Sequence, residues 1–208
     1  MSFSFTFDAA TEHVTVEPGS TKIPSRAFYI EGIRSVDIPN SVTEIGDNAF
    51  WDNYLEDLVI PDSVTKIGKS AFYFNNIKKL VIPNSVTKIG YLSFGYNDIK
   101  DLVIGESVTT ISDSAFEENE IKELIIPDSV TTIGAYAFND NNIRKLVIPN
   151  SVTKIGYYSF GRNNIKELII PDSVTTIDAY AFKDNNIRKL VIPNPSRKSE
   201  KTPLRTII

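Results

Sequence analysis

The run Gly68-Lys69-Ser70 has the residue types that end a phosphate-binding loop. In such a loop the lysine reaches the phosphates and the hydroxyl binds magnesium, but another glycine must lie five positions before the second one. That position holds Ser63. The tripeptide therefore does not predict a nucleotide site.

The other candidates for chemistry are equally incomplete. His13 is the only histidine and the chain has no cysteine, so neither a histidine-based triad nor a Cys or multi-histidine metal site is expected. An acidic group lacks the spacing of a calcium-binding loop, and we interpret it as a solvated face: Glu106, Asp113, Glu117, Glu118, Glu120 and Glu123. We predict no catalytic residue, no metal and no cofactor.

Composition narrows the class of partner. The chain has 208 residues, 23% of them charged, with a formal net charge of −4, which argues against nucleic acid or a membrane surface as a general partner. No stretch approaches the roughly 20 apolar residues that span a bilayer. The N-terminal sequence MSFSFTFDAA lacks the charged and apolar regions of a signal peptide.

A strict repeat of 22 residues organises the chain. Phenylalanine recurs at this interval at Phe28, Phe50, Phe72, Phe94, Phe116, Phe138, Phe160 and Phe182. Asparagine recurs at Asn53, Asn75, Asn97, Asn119, Asn141, Asn163 and Asn185. One coil cannot enclose its own apolar residues, but stacked coils can share one continuous core, so the repeat predicts a solenoid.

Each coil contains one segment with strand periodicity. Residues 77–82 alternate with period two and end before Pro83, which predicts a short strand parallel to its neighbours. Residues 68–72 are too few for a full helix and predict a tight turn or a single helical turn. The asparagine column is expected to hydrogen-bond backbone groups inside the coil wall.

The unit I-P-[DN]-S-V-T-x-I-G-x-x-A-F resembles the BspA-like leucine-rich repeats, over roughly residues 22–194. The resemblance implies a parallel sheet on a concave face and short turns or single helical turns on the convex face. It also implies an interaction scaffold, often on bacterial surfaces or secreted, with no common ligand. Asn75 stands where many such repeats have cysteine or a small residue.

The two ends depart from the repeat. Residues 1–21 alternate in two short runs and predict a hairpin that caps the first of the coils in residues 22–194. Residues 195–208 are basic, and we expect either a disordered tail or a partial cap.

Two groups of residues on the solenoid are candidate ligand contacts. An aliphatic column one residue from the buried positions should face outward, and includes Val81, Val103, Ile125 and Val147; it either binds another chain or only supports strand formation. Aromatic residues concentrate toward the N-terminal half, where they either contact a ligand or pack against the cap: Tyr29, Trp51, Tyr73, Phe74 and Tyr96.

A third, mostly basic column starts at Arg34 and is expected to be either a charge-balanced edge or a stripe for acidic ligands. We predict a non-enzymatic, adhesion-like module for a protein or cell-surface glycan ligand. The alternative is a self-associating structural solenoid.

Overall fold

The computed structural model describes residues 3–192, and within that range it is an all-β solenoid without helices. The first two strands are β1 (Phe5–Asp8) and β2 (His13–Val16). One column of three-residue strands contains β4 (Ser35–Asp37), β7 (Lys79–Val81), β9 (Asp101–Val103), β11 (Glu123–Ile125), β13 (Lys145–Val147), β15 (Glu167–Ile169) and β17 (Lys189–Val191). A column of two-residue strands contains β3 (Lys22–Ile23), β5 (Glu44–Ile45), β6 (Lys66–Ile67), β8 (Lys88–Ile89), β10 (Thr110–Ile111), β12 (Thr132–Ile133), β14 (Lys154–Ile155) and β16 (Thr176–Ile177).

Strands pair in parallel with a register of 22 residues in both columns. Leu80 is opposite Leu102 in the first column, and Ile89 is opposite Ile111 in the second. The sequence predicted only the first column, and it predicted too long a strand there. The strand starts at Lys79 rather than residue 77 because the Ile77 N–H donates to Asn97 Oδ1 at 3.1 Å, outside the sheet ladder.

The phenylalanine column is the centre of the core, as predicted. Phe50 to Phe182 are fully buried, and neighbouring rings stack with centroid distances from 5.1 Å (Phe28–Phe50) to 5.7 Å (Phe94–Phe116). Because each ring stacks on the rings of the neighbouring coils, the core is continuous along the axis.

The asparagine column binds the backbone of two coils at once. Asn75 Nδ2 donates to the Phe50 carbonyl of the preceding coil at 2.8 Å and to the Phe72 carbonyl of its own coil at 3.3 Å. Its Oδ1 accepts the N–H of Leu55 at 3.1 Å. The expected hydrogen-bonded asparagine ladder is therefore present.

Each coil turns at two residues whose backbone is in the left-handed conformation, and not through a helix. In one coil these are Ser70 (φ 52°) and Phe74 (φ 60°), and the same two positions are left-handed in every coil from Arg26 to Asp184. Short turns were one of the two predicted forms. The left-handed region costs any residue with a Cβ some energy, least for asparagine and aspartate.

The N-terminal hairpin lies against the end of the core. β1 and β2 are antiparallel, and β2 also pairs in parallel with β4, with His13 opposite Ser35. The rings of Phe3 and Phe5 contact Phe28 at 5.9 and 4.9 Å, so they cover the first ring of the stack. The division of the chain at residue 21 stays a prediction, and residues 195–208 lie outside the described residues.

Candidate binding surfaces

Five aromatic side chains of the early coils form one continuous group, which we call the aromatic platform: Tyr29, Trp51, Tyr73, Phe74 and Tyr96. The 22-residue spacing stacks three of them, with centroids 6.0 Å apart for Tyr29–Trp51 and 4.4 Å apart for Trp51–Tyr73. Tyr96 joins them at 5.2 Å from Tyr73, and Phe74 lies 6.1 Å from Tyr96. The structure therefore brings all five predicted residues together.

The platform is open to solvent along one side. Phe74 is 52% exposed, Tyr29 and Tyr96 are also exposed, and Trp51 and Tyr73 are half-buried between them. The next residue in the stacked column is Gly95, where an added Cβ would lie 3.4 Å from the Tyr73 ring. The stack therefore ends at a position without a side chain.

Acidic side chains border the platform on the later coils. Burial and the nearby carboxylates of Asp140 and Glu117 raise the pKa of Glu118. Burial, followed by the charges of Glu118 and Glu117, raises the pKa of the Tyr96 phenol. The carboxylates of Glu117, Glu118 and Asp140 thus lie near Tyr96, and Arg162 binds Asp140 at 3.2 Å as a counter-charge.

A second aromatic group, the tyrosine cluster, lies in the later coils and was missed by sequence reasoning: Tyr136, Tyr157, Tyr158 and Tyr180. Ring centroids are 5.0 Å apart for Tyr157–Tyr158 and 5.5 Å apart for Tyr158–Tyr180, and Lys183 Nζ lies 5.0 Å from the Tyr180 ring. Outside the phenylalanine column, aromatic residues are still more numerous in the N-terminal half of the solenoid, as expected, but the sequence analysis did not single out this later cluster. The 22-residue spacing of Tyr136, Tyr158 and Tyr180 was the available signal.

The aliphatic column faces solvent along its whole length. We call it the aliphatic stripe, and its exposed fractions run from 44% to 76%: Val59, Val81, Val103, Ile125, Val147, Ile169 and Val191. The alternate residues, such as Leu80 and Leu124, are 1% exposed. A shallow groove beside the stripe is lined by Leu102, Val103 and Ile125 with charged neighbours.

The residues of the basic column form ion pairs in the early coils but not in the later ones, within residues 3–192. In the early coils Lys78 Nζ binds Glu56 at 2.6 Å and Lys100 binds Glu120 at 3.3 Å. The basic residues of the later coils make no ion pair within residues 3–192: Lys122, Arg144, Lys166 and Arg188. The column is therefore charge-balanced only over its first half.

One polar contact contains the residue types of a hydrolase triad, which the sequence did not predict. His13 Nδ1 lies 2.7 Å from Ser35 Oγ, and His13 Nε2 lies 3.4 Å from Asp37. The carboxylate of a triad orients its histidine from a buried site. Because the Asp37 side chain is 75% exposed, water competes for this contact, and we interpret the group as surface polar contacts.

No group of three or more potential metal ligands is arranged to hold an ion within residues 3–192. Across the same residues, the structure contains no helix of the length and apolarity needed to cross a membrane.

Comparison with known proteins identifies the repeat. The model of the BspA-type leucine-rich-repeat region matches residues 2–120 and 91–202, with six copies of the unit. The chain belongs to the BspA-type leucine-rich-repeat family. Members of this family are repeat proteins typical of interaction or surface modules, and the family and its fold are typically non-enzymatic. A comparison with curated proteins finds no match.

Solved structures of bacterial leucine-rich-repeat proteins have the same fold. A protein from Bacteroides ovatus superposes with a TM-score of 0.66 at 18% identity, over 92% of this chain and 64% of that one. A second, from Eubacterium ventriosum, gives 0.57 at 26% identity, over 86% and 59%. A leucine-rich cell surface protein from Faecalibacterium prausnitzii gives 0.51 at 22% identity, over 95% and 76%. The chain thus spans about three fifths of the first two proteins.

Proposed function

We propose that this chain is a non-enzymatic interaction module that binds a protein ligand through the aromatic platform, on the bacterial surface or after secretion. The observation that supports the proposal is the identity of the two left-handed residues Phe74 and Tyr96. Other coils have Asp52, Asp140 or Asp184 at this position, and aspartate adopts the left-handed region more readily than an aromatic residue does. The fold therefore does not require the exposed rings.

The platform has the properties of a binding hot spot. Aromatic side chains supply large contact areas with few rotatable bonds, so that they lose little entropy when a ligand binds. Stacking between Trp51 and Tyr73 restricts these side chains further. A rigid, half-exposed aromatic surface is the type of site where a few residues supply most of the binding free energy.

The acidic border favours a ligand with positive charge. Aromatic ring faces and carboxylates both attract cations. Burial is the main cause that raises the pKa values of Tyr73 and Tyr96, and the nearby carboxylates of Glu117 and Glu118 add to it. A lysine or arginine side chain of a protein ligand would contact both surfaces. Glycans, which also stack on aromatic rings, are the alternative ligand that the experiment must separate.

The experiment screens the folded chain against protein and glycan arrays and then measures affinity for each hit. Trp51→Ala and Tyr96→Ala should each weaken binding by about 2 kcal/mol or more, or about 30-fold in Kd. Tyr54→Ala is the matched control, because Tyr54 is 53% exposed and lies outside the platform. Unchanged affinity in both platform variants, with unchanged melting curves, would exclude the platform as the site.

Self-association is the second candidate function. The observation that favours it is the aliphatic stripe, because an unbroken exposed apolar strip on a folded protein usually marks an interaction surface.

A further inference from the structure

The sheet face that carries the aliphatic stripe also carries a column of charges. Two residues before each member of the stripe lies an exposed charged residue, in the order Asp57, Lys79, Asp101, Glu123, Lys145, Glu167 and Lys189. Because side chains two residues apart in a strand point to the same side, charge column and stripe share one face. We call this surface the striped face.

The signs of the charge column follow an unusual order. They alternate from Asp57 to Asp101, and they alternate again from Glu123 to Lys189, where Glu123 binds Lys145 at 3.5 Å and Glu167 binds Lys189 at 2.5 Å. Pairing within the chain explains this alternation. It does not explain the change of phase between Asp101 and Glu123, where two acids are neighbours.

Because of this change of phase, the charges of the column are complementary to those of the same column in reverse order. Counted outward from Glu123, each residue on one side has the opposite charge to its counterpart on the other: Asp101 with Lys145, Lys79 with Glu167, and Asp57 with Lys189. A column that alternated without the change of phase would place like charges at these positions. The order of charges is therefore antisymmetric about Glu123.

We propose that the striped face binds a second copy of this chain, face to face and antiparallel, about a two-fold axis along strand β11. Such an axis keeps each sequence column opposite itself and reverses the order of the coils. Three kinds of ion pair then form, each of them twice by symmetry: Asp57 with Lys189, Lys79 with Glu167, and Asp101 with Lys145. The stripe of one copy lies on the stripe of the other, with Ile125 opposite the Ile125 of the second copy.

The one unfavourable position of the column is at the axis, where the two Glu123 side chains are opposite each other. Each Glu123 has Lys145 of its own chain at 3.5 Å, and the two-fold axis places Lys145 of the second copy one coil away. Two lysines therefore surround the two glutamates. The repulsion at the axis is offset by charges that the same symmetry supplies.

The size of the face limits the area that the contact can bury. Seven coils at about 4.8 Å form a strip roughly 29 Å long and one short strand wide. This is smaller than a standard interface, which buries about 800 Å² on each partner. The basic column lies immediately before the strands, so the same axis would also place Lys78 of one copy near Lys166 of the other at the margin of the contact. A weak, concentration-dependent dimer is therefore expected, not an obligate one.

Charge reversal tests the arrangement by sedimentation equilibrium at physiological salt. Lys79→Glu and Glu167→Lys should each weaken self-association at least tenfold, because each creates two like-charged pairs. An equimolar mixture of the two variants should associate again, since each mixed dimer regains opposite charges at both positions. Lys88→Glu, an exposed site on the other strand column, is the matched control and should associate like the unchanged chain.

Cross-linking provides a second, independent readout of the two-fold axis. The chain has no cysteine, so a single introduced thiol can be linked by a short bismaleimide to its copy in a second chain. Ile125→Cys should cross-link efficiently because the axis places it opposite itself. Val59→Cys should not, because the reversed order separates its two copies by six coils, or roughly 29 Å.

Several outcomes would overturn the proposal. They are a chain that stays monomeric up to millimolar concentration, a dimer that neither reversal weakens, a mixture that fails to associate, and equal cross-linking at residues 125 and 59. If a reversal variant does not fold, Lys79→Gln and Glu167→Gln replace the pair, and each should weaken the dimer without rescue on mixing. Ligand binding by Trp51→Ala tests a different surface, so either proposal can fail alone.

Discussion

Asn97 donates from Nδ2 to the backbone carbonyl of Phe72 at 3.0 Å, across the boundary between two coils. The same side chain accepts the Ile77 N–H at 3.1 Å and also donates to carbonyls of its own coil, at Phe94 and Gly95. Asn97 is 7% exposed, so water does not replace these contacts. One asparagine in each coil from Asn53 onward therefore stabilises the backbone turns of two coils.

Replacing Asn97 with alanine should destabilise the solenoid by at least about 2 kcal/mol, because a buried N–H and a buried carbonyl lose their partner at about 1–3 kcal/mol each. Chemical denaturation followed by circular dichroism measures the loss. The control is Asn76→Ala, since Asn76 is an exposed neighbour whose side-chain contact with Asp98 is 3.5 Å long. Equal effects of the two variants would contradict the ladder.

Replacing Phe116 with alanine should cost about 3–5 kcal/mol, as expected for a large-to-small change in a core. The Phe116 ring is fully buried and stacks on Phe94 and Phe138. Phe74→Ala, which removes an exposed ring, is the comparison and should change stability little. A loss below about 1 kcal/mol for Phe116→Ala would mean that the core does not depend on this column.

Replacing Val103 with lysine should leave the fold intact, because Val103 is 58% exposed and its side chain leaves the sheet on the solvent side. The thermal melting curve should stay cooperative with little change in Tm. Leu124→Lys is the contrast, since Leu124 is 1% exposed and a buried charge without a partner is strongly unfavourable. Loss of cooperative unfolding in Val103→Lys would instead place the column inside.

The ionised side chain of Glu118 should destabilise the folded chain at neutral pH. Its pKa is raised in the fold, chiefly by burial and then by Asp140 and Glu117, so the folded state holds its proton more tightly than the unfolded state. Stability from this group therefore falls as pH rises from the ordinary glutamate pKa through the raised value. Glu118→Gln should raise Tm at neutral pH, and the gain should vanish in acid.

The control for this pH dependence is Glu56, whose pKa is shifted in the opposite direction. A hydrogen bond from Lys78 lowers the pKa of Glu56, so that Glu56 stabilises the fold above the ordinary glutamate pKa and loses that effect as pH falls through the lowered value. Glu56→Gln should therefore lower Tm slightly at neutral pH and leave it unchanged in acid. A gain in Tm for both variants would point to net charge instead of local interactions.

The sequence predicted the parts of the fold that depend on side-chain identity at a fixed interval. Phenylalanine recurs at the Phe72 position in eight coils and asparagine at the Asn75 position in seven, and their burial follows because stacking is the only way to enclose them. The second strand column was missed because Lys66–Ile67 is too short to show a period of two. Beside this strand, the N–H and the hydroxyl of Thr65 both donate to the Thr43 carbonyl of the preceding coil, at 2.9 and 3.2 Å.

The columns of the repeat allowed part of the binding surfaces to be predicted from the sequence. Tyr29, Trp51 and Tyr73 share a column, so their stacking followed from the repeat. Tyr136, Tyr158 and Tyr180 share a column in the same way, whereas Tyr157 lies in the adjacent column and contacts Tyr136 and Tyr158 with ring centroids 5.4 and 5.0 Å apart. Contacts between rings of adjacent columns depend on the orientation of the side chains, which the spacing alone does not specify.

The direction of the coil-to-coil hydrogen bonds determines how the molecule responds to tension. Bonds such as Thr65 N–H to Thr43 O and Phe72 N–H to Ser93 O join successive coils and so lie along the solenoid axis. A pulling force between the two ends would load the coils in series, and the terminal coil would peel away first. Each coil would then release 22 residues, or about 75 Å of extended chain, so the solenoid would lengthen in equal steps.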